Sequence, residues 1–183
     1  MLILASKSPR RKELLSIITP EFEIIPAVGE ERADRTLPPD EYVRELACHK
    51  AEEVAALHPH DVVIGADTIV VVSGEILGKP KDAADAGRML KLLSGTEHSV
   101  LTGTCIISSD RNAIFSEETK VRFFELSDKE IDDYIATGEP FDKAGAYGIQ
   151  DIGALLVSGI TGDYYNVMGL PVGRLSRELR AFL

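Results

Sequence analysis

The chain has no uninterrupted run of about 18 apolar residues, so nothing in it reads as a membrane-spanning helix. Its opening, Met1-Leu2-Ile3-Leu4-Ala5, meets Lys7 and Arg10 too soon to form the apolar centre of a signal peptide. A cytoplasmic protein with no membrane partner is the expectation. Cysteine is scarce too. Cys48 and Cys105 stand alone, with no C-x-x-C and no metal-ligand spacing, and read as reduced core fillers rather than nucleophiles. Positive charge is outnumbered, 20 Lys and Arg against 30 Asp and Glu, for a net charge of −10. Such a chain lacks the broad basic field that releases counterions from nucleic acid, so no nucleic-acid partner is expected. What remains is 183 residues, 44% hydrophobic, with mean hydropathy near zero. That is enough for one globular domain with a real core, or for two compact lobes around a cleft.

The charge is unevenly spread. Residues 1–12 carry Lys7, Arg10, Arg11 and Lys12 and no acid, a compact cationic spot that suits a small polyanion better than a duplex. Residues 2–5 read as a short buried strand, and Ser8-Pro9 then starts a helix, with Ser as N-cap and Pro at the first helical position. Leu14, Leu15 and Ile18 give that helix its apolar stripe. A second strand is predicted over 22–25, a polar mobile loop over 26–39, and a long helix from about Asp40 to Leu57. The β-branched run 62–72 reads as a strand buried on both faces, turning at Ser73-Gly74 into a short return. Asp82 caps a helix bearing Met89, Leu90, Leu92 and Leu93. The runs 98–108 and 113–124 read as a hairpin, and Ser127-Asp128-Lys129-Glu130 as the capping box of another helix. Beyond Gly138 lies a Gly-rich stretch to Gly169, then a last helix after Pro171. No repeat, low-complexity segment or linker marks a domain boundary.

Asp67 interrupts the β-branched run, and an ionised carboxylate there costs several kcal/mol, to order of magnitude, unless a cation, a metal or hydrogen-bond donors compensate it or the group stays protonated. Gly65 and Ala66 just upstream are read as leaving the backbone bare for a ligand to approach. The alternative is a buried Asp that caps a neighbouring loop. Arg10 and Arg11 sit in the first turn of a helix, where the macrodipole disfavours basic side chains by about 0.3–1 kcal/mol each and an anion would reverse the sign. Free N–H groups and two guanidinium forks directly after a strand make a phosphate site; a solvated basic helix start is the alternative. The segment Gly74-Glu75-Ile76-Leu77-Gly78-Lys79-Pro80 fails as a P-loop, being one residue short and with Pro80 in place of the Ser or Thr. Lys79 stays a point charge within reach of a phosphate, or a solvated turn lysine.

The histidines show no ligand spacing, so a metal, if used, falls to carboxylates. Asp67, Glu30, Glu31 and Asp82 are the candidates, and oxygen ligands beside a phosphate substrate point to magnesium or manganese. A G-x-S-x-G elbow is absent, which argues against a Ser-His-Asp hydrolase. Asp67-Thr68-Ile69 lacks the second Asp of a haloacid-dehalogenase phosphatase.

Taken together, Ala5-Ser6-x-Ser8-Pro9-Arg10-Arg11, Gly65-Ala66-Asp67-Thr68, Gly78-Lys79-Pro80, the block from Asp142-Lys143-Ala144 through Tyr147-Gly148-Ile149-Gln150, and Asn166-Val167-Met168-Gly169-Leu170-Pro171 resemble the Maf family of nucleoside triphosphate pyrophosphatases. The resemblance runs through the whole chain in order. The block ending in Gln150 resembles the branch acting on dTTP and UTP; the sister branch, on methylated GTP, differs there. Two small departures are Met168, where the family often has Val, and Gly29 before the Glu30-Glu31 pair.

The resemblance implies a single Maf-like domain over residues 1–183, a mixed twisted α/β sheet in a two-lobed fold with a central cleft, shared with inosine triphosphate pyrophosphatases. It implies hydrolysis of dTTP and UTP to the monophosphate and pyrophosphate with a divalent cation, Mg2+ or Mn2+; CTP and modified pyrimidine nucleotides are further candidates if the Gln150 amide turns over. By motif, Asp67 is the proton acceptor for the attacking water; Arg10, Thr68 and Gln150 set substrate choice. Arg11, Lys50 and Lys79 hold phosphates, Glu31 joins Asp67 at the metal, and Ser6 and Ser8 line the first loop, Ser8 among the substrate contacts. Family members are often dimers, so the resemblance allows a homodimer. A second reading, a non-catalytic nucleotide-sensing regulator of septum formation, shares the same cleft. Asp67 favours the enzyme, because a sensor gains nothing from a desolvated carboxylate facing a triphosphate.

Overall fold

Seven strands form one mixed sheet in the computed structural model, which describes residues 1–29 and 33–183. The chain order is β1 (Leu2–Leu4), α1 (Pro9–Ile18), β2 (Glu23–Ile24), α2 (Pro39–Ala55), β3 (Val62–Val72), β4 (Glu75–Leu77), α3 (Ala83–Leu93), β5 (Glu97–Ile107), β6 (Asn112–Phe123), α4 (Asp128–Ala136), β7 (Val157–Thr161), α5 (Tyr164–Met168) and α6 (Val172–Glu178). The sheet order is β2-β1-β3-β5-β6-β7, with β4 paired to β3. β1 lies parallel to both β2 and β3, whereas β3–β4 and β6–β7 are antiparallel. Among the described residues no helix is long and apolar enough to cross a membrane.

The chain falls into two compact units. Met1–Thr68, Thr102–Glu117 and Tyr165–Leu183 form the first; Ile69–Leu101 and Glu118–Tyr164 form the second. In the first unit α2 lies on the sheet over a core of Ile3, Ala5, Ala47, Ala51, Val54, Val63 and Cys105. The helix approaches so closely that a Cβ on Gly65 would sit 2.3 Å from the Ala47 carbonyl oxygen, and one on Gly103 2.3 Å from that of Val43. This corrects one expectation: the bare backbone at Gly65 receives α2, not a ligand, and Ala66 is fully buried. Cys48 and Cys105, separate in the sequence reading, meet in this layer, where Cys105 is buried and its thiol is pushed up in pKa by the Cys48 thiol beside it and by burial.

Side-chain caps set the starts of α1, α3 and α4. The Ser8 hydroxyl accepts from the Arg11 N–H, with Pro9 at the first position, and Asp82 caps α3 through the Asp85 N–H. Asp82, a metal candidate in the sequence, is thereby occupied as a helix cap in the second unit. Ser127 and Glu130 form the reciprocal capping box of α4. In the second unit, Met89, Leu90 and Leu93 of α3 and Ile131 and Tyr134 of α4 are buried, whereas Leu92 is exposed. The Gly-rich stretch holds more structure than expected: three 3-10 turns over Glu139–Asp142, Ala144–Ala146 and Asp151–Leu156, then β7 and α5.

Candidate active site

Asp67 is placed by the geometry of the first unit. It follows the tight α2 contact at Gly65 on β3, its side chain is 14% exposed, and the Lys50 ammonium of α2, 16% exposed, is hydrogen-bonded to its Oδ1. Helix and strand, locked backbone to backbone by two glycines, fix this pair. The sequence asked what compensates Asp67, and Lys50 is the answer. Both side chains keep a small share of solvent contact, so the pair is partly buried, and it is fixed by the packing of α2 on β3.

Beside the pair, Arg11 ties three distant stretches together. Its Nε donates to the Gly169 carbonyl at 2.8 Å, its Nη2 to Thr68 Oγ1 at 3.0 Å and its Nη1 to Ser6 Oγ at 3.4 Å. Thr68 Oγ1 lies 2.9 Å from Thr102 Oγ1, which donates to the Asn166 carbonyl at 2.9 Å. Each hydroxyl has one proton, so Thr68 must donate to Thr102, and the run Arg11, Thr68, Thr102, Asn166 is polarised in one direction. Gly169 is suited to its part by a φ of +119°, which favours glycine. Ser6 also accepts from the Ser8 N–H, so both serines shape the turn into α1. Arg10 is half-buried in the first turn of α1.

In the second unit, Lys79 is exposed on the loop after β4. The Gly78 carbonyl accepts from the Gly145 N–H at 3.0 Å, tying that loop to the block that ends in Gln150. Gln150 is half-buried. Its neighbours Ala146 and Asp151 both have positive φ, +61° and +53°, although neither is glycine, a backbone cost that surrounding contacts must offset. Tyr147 is buried against His98 and Phe123 and bonds to His98 Nε2 at 2.7 Å; burial lowers the pKa of His98 to about 4, leaving the imidazole neutral near pH 7. The sequence reading missed His98, Thr102 and Tyr134, whose roles depend on partners 14 to 64 positions away. Glu31, assigned to the metal, lies outside the described residues.

The fold is the one also seen in the HAM1 protein from Coxiella burnetii, at a TM-score of 0.58 with 13% identity over 98% of each chain. Within that fold the chain belongs to the family described as Maf-like protein, whose profile matches residues 1–182. A relative from Geobacillus sp. (strain WCH70), named dTTP/UTP pyrophosphatase, is 53% identical over 98% of this chain and 96% of its own. Another of the same name, from Bacillus cytotoxicus, is 53% identical over 98% of this chain and 94% of its own.

Proposed function

We propose that the chain is a nucleoside triphosphate pyrophosphatase that cleaves dTTP and UTP between the α and β phosphates, releasing the monophosphate and pyrophosphate. The observation that carries this reading is the Lys50–Asp67 pair, a partly buried carboxylate with a compensating cation and adjoining the Arg11–Thr68 frame. The names of the relatives at 53% identity point the same way. Asp67 acts as proton acceptor for the attacking water, with Lys50 orienting the carboxylate and balancing its charge. Arg10 and the N–H groups of the first turn of α1 attract the phosphates, and Lys79 adds a point charge. Ser8 keeps that turn in shape. Arg11, engaged with Gly169, Thr68 and Ser6, serves the phosphates chiefly by holding this frame rigid. Gln150 offers a donor to O4 and an acceptor to N3–H of uracil or thymine; CTP and modified pyrimidines follow if the amide turns over. The chain acts as one Maf-like domain in the cytoplasm, as a monomer or a homodimer.

A divalent cation fits this donor set. Among the described residues no group of three or more His, Cys, Asp or Glu is placed to hold a metal by itself. Magnesium, however, is usually bound through one or two carboxylates together with substrate phosphates and water, and Asp67 supplies the first. Mg2+ or Mn2+ held by Asp67, with Glu31 as a second carboxylate, would neutralise charge developing on the phosphates.

The deciding experiment is hydrolysis of UTP and dTTP in 18O-labelled water with magnesium. Attack at the α phosphorus gives UMP or dTMP carrying the label, with unlabelled pyrophosphate. Orthophosphate and a diphosphate as first products would overturn the reading. Excess EDTA is expected to abolish turnover, and Mn2+ or Mg2+ to restore it; full activity in EDTA would exclude the cation. Arg11→Lys keeps the charge but loses the fork that spans Gly169 and Thr68. It is expected to lower kcat/KM for UTP at least about tenfold, equivalent to roughly 1.4 kcal/mol. Wild-type kinetics in the lysine variant would show that the frame is dispensable.

A further inference from the structure

The segment 148–153 closes on itself around Gln150. A Cβ on Gly153 would sit 2.0 Å from the Gly148 carbonyl oxygen, so the two ends of the segment touch. At the first, the Gly148 N–H donates to the Tyr134 hydroxyl of α4 at 3.2 Å. At the other, the Ile152 and Gly153 N–H groups donate to the two carboxylate oxygens of Glu139, each at 3.2 Å. Tyr134 is 2% exposed, and burial together with the nearby Glu139 carboxylate keeps its phenol protonated. The two side chains therefore form one clamp, tyrosine on the entering strand of the loop and glutamate on the leaving strand. Between them Asp151 is forced to a φ of +53°.

We propose that Tyr134 and Glu139 are positioning residues for base selection: by clamping both ends of the 148–153 loop they set the direction in which Gln150 presents its amide. This rests on the reading of Gln150 as the residue that meets the base. An amide discriminates between a carbonyl and an amino group only while its rotation and approach are fixed, because a loosely held one can turn to satisfy either. A relaxed loop therefore erodes the preference for uracil over cytosine before it erodes the hydrolytic step, which belongs to Asp67.

The test is the ratio of kcat/KM for UTP to that for CTP, measured alongside kcat for UTP. Tyr134→Phe removes only the hydroxyl, and Glu139→Ala removes both acceptors. Each is expected to lower the ratio at least threefold while kcat for UTP falls by less than that factor. Glu139→Gln, which keeps one acceptor of the same shape, is expected to recover part of the ratio, and it replaces Glu139→Ala if that variant does not fold. A ratio unchanged in folded Tyr134→Phe and Glu139 variants overturns the proposal. Gln150→Glu is run in parallel to separate the two ideas. It adds an acceptor facing O4 and is expected to lower the ratio most. If it leaves the ratio unchanged, Gln150 does not read the base and the premise fails. If it moves the ratio and the clamp variants do not, only the positioning role fails.

Discussion

Asp67→Asn is expected to lower kcat for UTP and dTTP by three or more orders of magnitude, on the order of 4 kcal/mol or more in the barrier, while the protein stays folded and binds nucleotide. Asparagine has nearly the same shape, so β3 and its contact with α2 are undisturbed. What disappears is the group proposed to accept the proton of the attacking water, together with the negative charge facing Lys50. The second loss has a separate signature. Lys50 keeps its place on α2 but loses the charged acceptor at Asp67, so a modest fall in melting temperature accompanies the kinetic loss. Lys50→Met in the same background removes the ammonium together with the acceptor it has lost and is not expected to recover turnover. The checks are single-turnover rates, nucleotide titration and thermal unfolding of the three proteins. Near-normal turnover in a folded Asp67→Asn protein removes the carboxylate from the chemistry.

Gly65→Ala has the largest expected effect on the fold for the smallest change of side chain. The added methyl would lie 2.3 Å from the Ala47 carbonyl oxygen, 2.7 Å from the Ala51 nitrogen and 2.9 Å from the Ala51 Cβ. Two of these are backbone atoms of α2 and cannot rotate away, so the helix itself must lift. Overpacking of this kind costs typically about 1–3 kcal/mol, and rigid neighbours put this site at or above the upper end. For a chain of this length 3 kcal/mol is roughly 6–12 °C in Tm. Lys50 rides on the same helix, so its contact with Asp67 lengthens and kcat falls together with stability. Gly173→Ala is the control, because a Cβ there meets nothing within 4 Å. Equal melting temperatures for the two variants would contradict the backbone-to-backbone packing.

These two residues also show how far the sequence could be read. Asp67 stood out because a carboxylate in a β-branched run violates the local pattern, and such conflicts gather at functional sites. Gly65 was visible but misread, since a glycine permits close approach without saying what approaches. Ser8, Asp82 and Ser127 were read correctly because a cap depends on neighbours three residues away. Lys50 was assigned to the phosphates by the family resemblance, and its pairing with Asp67 was out of reach because that partner lies 17 positions on, in another element. The 138–169 stretch was the least legible. β7 there pairs with β6, and the loop around Gln150 takes its form from Tyr134 and Glu139, none of which leaves a periodic trace.

The first unit is drawn from three separated stretches of chain, and the Arg11 bond to Gly169 spans 158 positions. Asp67, Lys50 and Arg11 are all made before the part of β5 from Thr102 to Ile107 and the end of α5 with Gly169 that complete their frame, Gly169 about a hundred residues after Asp67. Closing contacts over such separations is slow, because chain entropy must be surrendered before they form. During synthesis the chain therefore holds all the reactive groups of its first unit with no scaffold to aim them. A message truncated before Tyr165 would yield a polypeptide carrying every one of those groups and no activity.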